Sequence, residues 1–250
     1  MKYYGLIGYP LTHSFSKKYF SDKFIQEGIA ESQYDLYEMP ALDTLPTLLK
    51  KEGLIGLNVT IPYKKDVLPF LDELDDESAE RIGAVNTIKI YPDGSTKGFN
   101  TDYYGFYQSL VSWVERHGDT CEGLKALVLG NGGAAKAVMV ALDDLKIEYL
   151  LISRQESTET ITYDALTQEI IQSHRLIINT TPLGTFPNIP YQFISKGHYL
   201  YDLVYNPAET LFLERGREQG ASTQNGLKML ELQAEKAWEI WNNEDNIWSN

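Results

Sequence analysis

An α/β protein of two domains is what this sequence predicts, and two observations predict it. Short β-like runs alternate with stretches of helical spacing along the whole chain. One run, Leu124–Leu129, passes directly into Gly130-Asn131-Gly132-Gly133 and a helix of small residues, the order strand, glycine turn, helix that opens a nucleotide-binding unit.

Taken in order, Tyr3–Ile7 reads as a first strand and Ser16–Ile29 as a helix, on the spacing of Tyr19, Phe20, Phe24 and Ile25. Tyr34–Glu38 is a second strand and Leu42–Lys51 a second helix. Leu54–Val59 is a third strand, stopped by Pro62, which biases Ile61 towards an extended backbone. Ala84–Ile90 and Thr96–Phe99 read as strands around Pro92-Asp93-Gly94. A boundary is expected near residue 102. There Asp102 suits the N-cap of a helix through Phe106, Leu110, Val111 and Val114, ended by His117-Gly118-Asp119. After the glycine turn, Ile147–Ile152, Leu176–Ile178 and Tyr199–Leu203 are further strands. Leu227, Leu230, Ala234, Ala237, Trp238 and Trp241 mark a terminal amphipathic helix.

At 250 residues the chain can bury one large core or two modest ones. No apolar run approaches the roughly 18 residues of a membrane span, and Met1–Gly5 lacks the apolar stretch of a signal peptide. Cys121 is the only cysteine, so no intramolecular disulfide can form. A cytoplasmic location is expected. A formal charge of −13 with no basic stripe argues against nucleic acid. An anionic ligand would then need positive potential concentrated at helix N-termini or single basic residues.

In the glycine turn, Gly130 permits the tight bend, Gly132 lets the backbone approach a pyrophosphate, and Gly133-Ala134-Ala135 keeps the helix side small. The next strand runs into Ser153-Arg154, where an NAD site ordinarily carries a carboxylate for the ribose. An arginine fork suits a 2′-phosphate instead. Glu156 lies close enough in sequence to serve a ribose hydroxyl.

Four polar segments occupy the first domain and its exit: His13-Ser14-Phe15-Ser16, Asn58 to Lys64, Ala84-Val85-Asn86-Thr87 and Gly98 to Asp102. Each is placed at the carboxyl end of an expected strand or in the loop after it, where open α/β sheets bind ligands. Ser14 and Ser16 suit a carboxylate, Thr60, Asn86 and Asp102 suit ring hydroxyls, and Lys64 with Asp102 could move a proton. Each residue also has a purely structural use. Ser16 and Asp102 suit helix caps, Asn58 and Asn86 suit turns, and a lysine after a strand is ordinarily solvated.

Together these blocks resemble the shikimate dehydrogenase family over nearly the whole chain. The resemblance rests on Gly8-Tyr9-Pro10 with His13 to Ser16, on Asn58-Val59-Thr60-Ile61-Pro62-Tyr63-Lys64, and on Ala84 to Thr87 and Asn100-Thr101-Asp102. It continues through Gly130 to Ala135, Asn179 to Gly184, Tyr201 to Pro207 and Asn225-Gly226-Leu227 with Met229, Leu230 and Gln233. It implies NADPH-dependent reduction of 3-dehydroshikimate to shikimate in aromatic amino acid biosynthesis. The implied fold is a substrate domain (1–102, with a returning helix 226–250) and a Rossmann-like domain (103–225), with a cleft between them. By the same resemblance Lys64 and Asp102 are the catalytic pair, and Ser14, Ser16, Thr60, Asn86, Tyr205 and Gln233 contact substrate. Gly130, Asn131, Gly132, Gly133, Ala134, Ser153, Arg154 and Thr180 contact cofactor. No metal is implied, the partners are small molecules, and the state is a monomer or homodimer.

The chain departs from the family pattern in three places: Lys17 where proline is usual, Ser153-Arg154-Gln155 where Asn-Arg-Thr is usual, and Thr158 where a second arginine often stands. The last two keep open an NAD-preferring quinate/shikimate dehydrogenase. A catalytically silent regulatory protein on the same fold is a third reading, which the presence of both Lys64 and Asp102 disfavours.

Overall fold

A computed structural model describes residues 1–12, 14–182 and 186–243. His13, Leu183 and Gly184 of the expected motifs, and residues 244–250 of the expected terminal helix, lie outside the described residues. The chain divides into two compact units, Met1–Thr101 with the chain from Ala234 on, and Asp102–Gln233.

The first unit contains β1 (Lys2–Gly8), α1 (Phe15–Gln26), β2 (Ser32–Glu38), α2 (Leu45–Leu48), β3 (Leu54–Val59), β4 (Glu73–Leu74), α3 (Ala79–Ile82), β5 (Thr87–Ile90) and β6 (Thr96–Phe99). The six strands form one sheet in the order β2-β1-β3-β5-β6-β4. Helical crossovers make β1 parallel to β2 and β3, whereas the turn before Ser95 folds β5 and β6 into an antiparallel hairpin. The expected helix over 42–51 is shorter: Pro46 has no amide hydrogen to continue a helix begun earlier, so α2 starts beside it. Gly28, at φ +64°, turns the chain after α1, short of Ile29.

The second unit contains α4 (Thr101–Arg116), β7 (Lys125–Leu129), α5 (Gly133–Asp144), β8 (Glu148–Ser153), β9 (Thr160–Thr162), α6 (Gln168–Ser173), β10 (Leu176–Asn179), β11 (Tyr199–Asp202), α7 (Leu211–Glu218), β12 (Ser222–Gln224) and α8 (Leu227–Asn242). Thr101 belongs to the first unit, as does α8 from Ala234. The six strands are all parallel, in the order β12-β11-β10-β7-β8-β9. With β7 taken as the first strand this is the 3-2-1-4-5-6 order of dinucleotide-binding sheets, read from the opposite edge, whose direction of winding reverses between β7 and β10. The short strands β9 and β12 and the helices α6 and α7 were not among the expected elements. Asp102 is not the N-cap it was expected to be; α4 begins at Thr101, two residues earlier than that cap would place it, so Asp102 lies inside its first turn.

Period-two alternation decides the cores. Ala126 and Val128 face Phe106, Leu110 and Val138, while Leu127 and Leu129 face Ile171, Phe212 and Leu213. Both faces of β7 are therefore covered, which is why it is apolar at every position after Lys125. In the first unit Tyr4 and Leu6 pack with Phe20, Phe24, Ala237 and Trp241, and Ile7 turns to the opposite core with Leu45 and Val67. Among the described residues no helix is long and apolar enough to cross a membrane.

Trp241 is buried, and its indole Nε1 donates to the Ile88 carbonyl at 3.0 Å. A Cβ at Gly56 would overlap that indole. Gly56→Ala is therefore expected to lose about 1–3 kcal/mol of stability, the usual cost of overpacking. Urea unfolding followed by tryptophan fluorescence measures it, and an unchanged midpoint would show that Trp241 shifts without cost.

Candidate active site

In the second unit a cavity of about 570 Å³ opens where the winding reverses, lined by Gly130, Asn131 and Gly132 after β7, Ser153 and Arg154 at β8, and Thr180 after β10. Its size suits a small ligand or part of a nucleotide. Gly130 has φ +101°, a conformation open essentially to glycine. A Cβ there would also lie 2.9 Å from Thr180 Oγ1. Thr180 closes the junction, its amide and hydroxyl both donating to the Leu129 carbonyl at 2.9 Å.

Gly132 is the N-cap of α5 and brings no side-chain bond to the helix amides, and no acidic residue stands in the first turn. The amides and the positive end of the helix dipole are thus available to an anion. Neither Gly132 nor Gly133 is required by its own surroundings. An added Cβ at either would meet no atom within 4 Å, and Gly132 has an ordinary φ of −92°. Ala134 is exposed beside them, and Ala135 is fully buried against the sheet. Arg154 is exposed on the cavity rim and forms no ion pair among the described residues. These features fit a dinucleotide with an anionic group at the ribose end.

The first unit carries a buried polar network at one end of its sheet. Tyr34 donates to Asn58 Oδ1 at 2.7 Å, and Asn58 Nδ2 donates to Thr87 Oγ1 at 3.2 Å. Thr87 Oγ1 donates to Asn86 Oδ1 at 3.1 Å, and the Thr101 amide donates to the same oxygen at 2.7 Å. Burial pushes the Tyr34 phenol far up, and a hydrogen bond with Ser16 opposes that shift. Ser14, not Ser16, is the N-cap of α1, accepting from the Lys17 amide at 3.2 Å. Thr60 follows β3, with its amide bonded to the Ile7 carbonyl at 2.9 Å. The Lys64 carbonyl accepts from the Val85 amide at 2.7 Å, which ties the lysine's backbone to the residue before Asn86. The expectation that every segment follows a strand fails for Asn86, which precedes β5. Because β5 runs antiparallel to β3, with Asn58 opposite Thr87, Asn86 still reaches the carboxyl end of β3.

Of the remaining expected residues, Asp102 is half-buried in the first turn of α4, directly after Thr101. Tyr205 is exposed after β11. Gln233 is buried on α8, with Nε2 donating to the Leu230 carbonyl at 3.0 Å. In the second unit Gly105 of α4 has no room for a side chain against Met229 and Gln233, so α4 and α8 touch backbone to backbone.

A family model described as the shikimate dehydrogenase substrate binding domain matches residues 6–88. Shikimate dehydrogenase (NADP(+)) of Clostridium beijerinckii is 40% identical over 258 aligned residues, covering 96% of this chain and 92% of that protein. The chain belongs to the shikimate dehydrogenase family. Among solved members, shikimate 5-dehydrogenase of Thermus thermophilus, in complex with NADP(H) and shikimate, superposes with a TM-score of 0.81 at 32% identity, covering 97% of this chain and 94% of that one. Quinate dehydrogenase of Corynebacterium glutamicum, in complex with NAD, gives 0.84 at 26% identity, covering 96% and 93%. The family and the mixed α/β fold with a Rossmann-like part are as the sequence led us to expect.

Sequence reasoning missed several residues that the structure brings to the cavity of the second unit: Tyr163, Thr181, Pro182, Phe186, Pro187 and Asn188. None belongs to the glycine fingerprint, and Tyr163 follows a strand too short to show a pattern. It also missed Asp202, fully buried at the end of β11. Asp202 accepts from Asn179 Nδ2 at 3.1 Å, the Val204 amide at 3.0 Å and Thr210 Oγ1 at 2.6 Å. Burial pushes its carboxyl above the usual range against these three bonds. It anchors the start of the segment that carries Tyr205. The Tyr-Asp pair in Tyr201 to Pro207 was the available signal.

The two kinds of glycine separate by stability. Gly130→Ala should cost about 1–3 kcal/mol from its backbone conformation alone, whereas Gly132→Ala should cost less, about 0.5–1 kcal/mol, the difference between glycine and alanine at an N-cap. Equal losses in urea unfolding would mean that Gly132 is a structural glycine like Gly130.

Proposed function

We propose that this chain is an NADP-dependent shikimate dehydrogenase, reducing 3-dehydroshikimate to shikimate and running the reverse oxidation. The observation that carries the reading is the end-to-end likeness to proteins named shikimate dehydrogenase (NADP(+)), in a chain that keeps both Lys64 and Asp102. We assign the nucleotide to the cavity of the second unit. Cytoplasmic work as a monomer or homodimer belongs to the same proposal.

When bound, NADPH supplies the hydride that the substrate's carbonyl carbon accepts. Gly130, Asn131, Gly132, Gly133 and Ala134 would hold its pyrophosphate on the α5 amides, with Thr180 closing the turn, and Ser153 and Arg154 would take the ribose end. Lys64 delivers the proton to the oxygen that becomes an alkoxide, and Asp102 orients and balances its charge. Ser14, Ser16 and Tyr205 receive the substrate carboxylate, while Thr60, Asn86 and Gln233 bond its hydroxyls. Asn86 Oδ1 is engaged by Thr87 and Thr101, which fixes the orientation of its amide.

A second reading is favoured by Thr158 in place of the second arginine and by Glu156: an NAD-preferring quinate/shikimate dehydrogenase. Titrating NADP⁺ and NAD⁺ with shikimate and with quinate separates the two.

Lys64→Ala should lower kcat by about 10²–10⁴-fold, the range of a positioned acid–base group. Its NADP⁺ dissociation constant should be unchanged. Steady-state kinetics with calorimetry checks both, and a parental kcat removes Lys64 from the mechanism. Arg154→Ala should weaken NADP⁺ by about 2 kcal/mol, near thirtyfold, because a charge-assisted fork is lost. NAD⁺ should scarcely change. Equal losses for the two nucleotides would favour the second reading.

A further inference from the structure

We infer that Tyr163 is a specificity-determining residue for NADP over NAD, donating its hydroxyl to the 2′-phosphate opposite Arg154 in the position that a second arginine would serve. The inference rests on the nucleotide reading of this cavity and deepens it.

The placement follows from sheet register. β8 and β9 are parallel neighbours, with Ser153 opposite Thr162. Arg154 and Tyr163 are therefore the first residues beyond two paired strand ends, which neighbouring strands hold about 4.8 Å apart across the sheet. Both line the same cavity. The end of β8 is where such a sheet reads the ribose of a bound dinucleotide, so the residue level with it on β9 faces the same substituent.

The hydroxyl suits the task. Among the described residues it has no hydrogen-bond partner, and none of their buried side-chain polar atoms is left unsatisfied, so the oxygen is reached from solvent. The ring itself packs against the apolar core cluster to which Leu127 and Ile152 belong. Burial raises the phenol's pKa, and the charge of Arg154 opposes that shift, so the group feels the guanidinium yet stays protonated. A protonated phenol is a donor to a phosphate oxygen. An anion between Arg154 and Tyr163 would take two bonds from the guanidinium and one from the phenol. Thr158, by contrast, is exposed on the loop between the two strands and carries no charge.

The effect must differ between nucleotides. A bond to a dianionic phosphate is roughly twice as strong as one to a neutral hydroxyl. Tyr163→Phe removes one oxygen and keeps the packed ring. Isothermal calorimetry on the full chain should show the NADP⁺ dissociation constant rising about tenfold, with NAD⁺ within about twofold. The fragments 2′-AMP and 5′-AMP should divide in the same way, which reads the subsite without any turnover. Unchanged NADP⁺ affinity, or equal losses for NADP⁺ and NAD⁺, in a parent that prefers NADP⁺ overturns this inference alone. A parent that binds NADP⁺ no more tightly than NAD⁺ overturns both the inference and the cofactor reading beneath it.

Discussion

The bond from the Thr101 amide to Asn86 Oδ1 joins two segments that the chain order keeps fifteen residues apart. Asn86 sits on the turn into β5, and Thr101 opens α4, so this one acceptor sets where the helix carrying Asp102 begins. The same oxygen also takes the Thr87 hydroxyl, and the Asn86 carbonyl takes the Val59 amide at 2.8 Å. Asn86 is nearly inaccessible, and a buried amide oxygen without donors would cost about 1–3 kcal/mol. The network is therefore under pressure to stay complete. Completeness is what makes the carboxyl ends of β3 and β6 a rigid base for the segments ending in Lys64 and Asp102.

Electrostatics at the second unit answer the problem set by the net charge. At −13, the chain's general field repels a nucleotide. The structure offsets it locally with the acid-free N-terminus of α5 and the exposed guanidinium of Arg154, which has no carboxylate to neutralise it among the described residues. Both sources lie on one cavity. A charge held by a short-range partner would have been screened from a ligand, whereas these two present their potential outward over about one Debye length.

Legibility in the sequence followed the strength of the local physics. The glycine turn was readable because Gly130 must adopt a backbone that other residues avoid, and because β7 is buried on both faces and so apolar throughout. The long helices were readable from their apolar stripes. The edge strands β9 and β12 were not, since three residues with one covered face carry too short a pattern. Helix boundaries shifted where one residue overruled periodicity, as Pro46 did at α2. At the site, residue types and order pointed to the right segments, but partners were invisible. Nothing in the sequence tells that Ser14 caps α1 while Ser16 bonds Tyr34, or that Asp202 is buried at the start of the Tyr205 segment. Those facts depend on contacts that residue order alone does not specify.

The small residues of the chain fall into two classes. Gly56, Gly105 and Gly130 are small because the protein leaves no room: an indole, a helix backbone and a threonine stand where a Cβ would go. Gly132 and Gly133 are small with nothing nearby and with no strained backbone to excuse them. At Gly133, the first helical residue of α5, glycine also costs conformational entropy that alanine would not. A residue that costs stability and relieves no crowding within its own chain is answering a demand from outside it. At the N-terminus of α5 a ligand whose own atoms came as close to the backbone as a Cβ would have stood would make that demand.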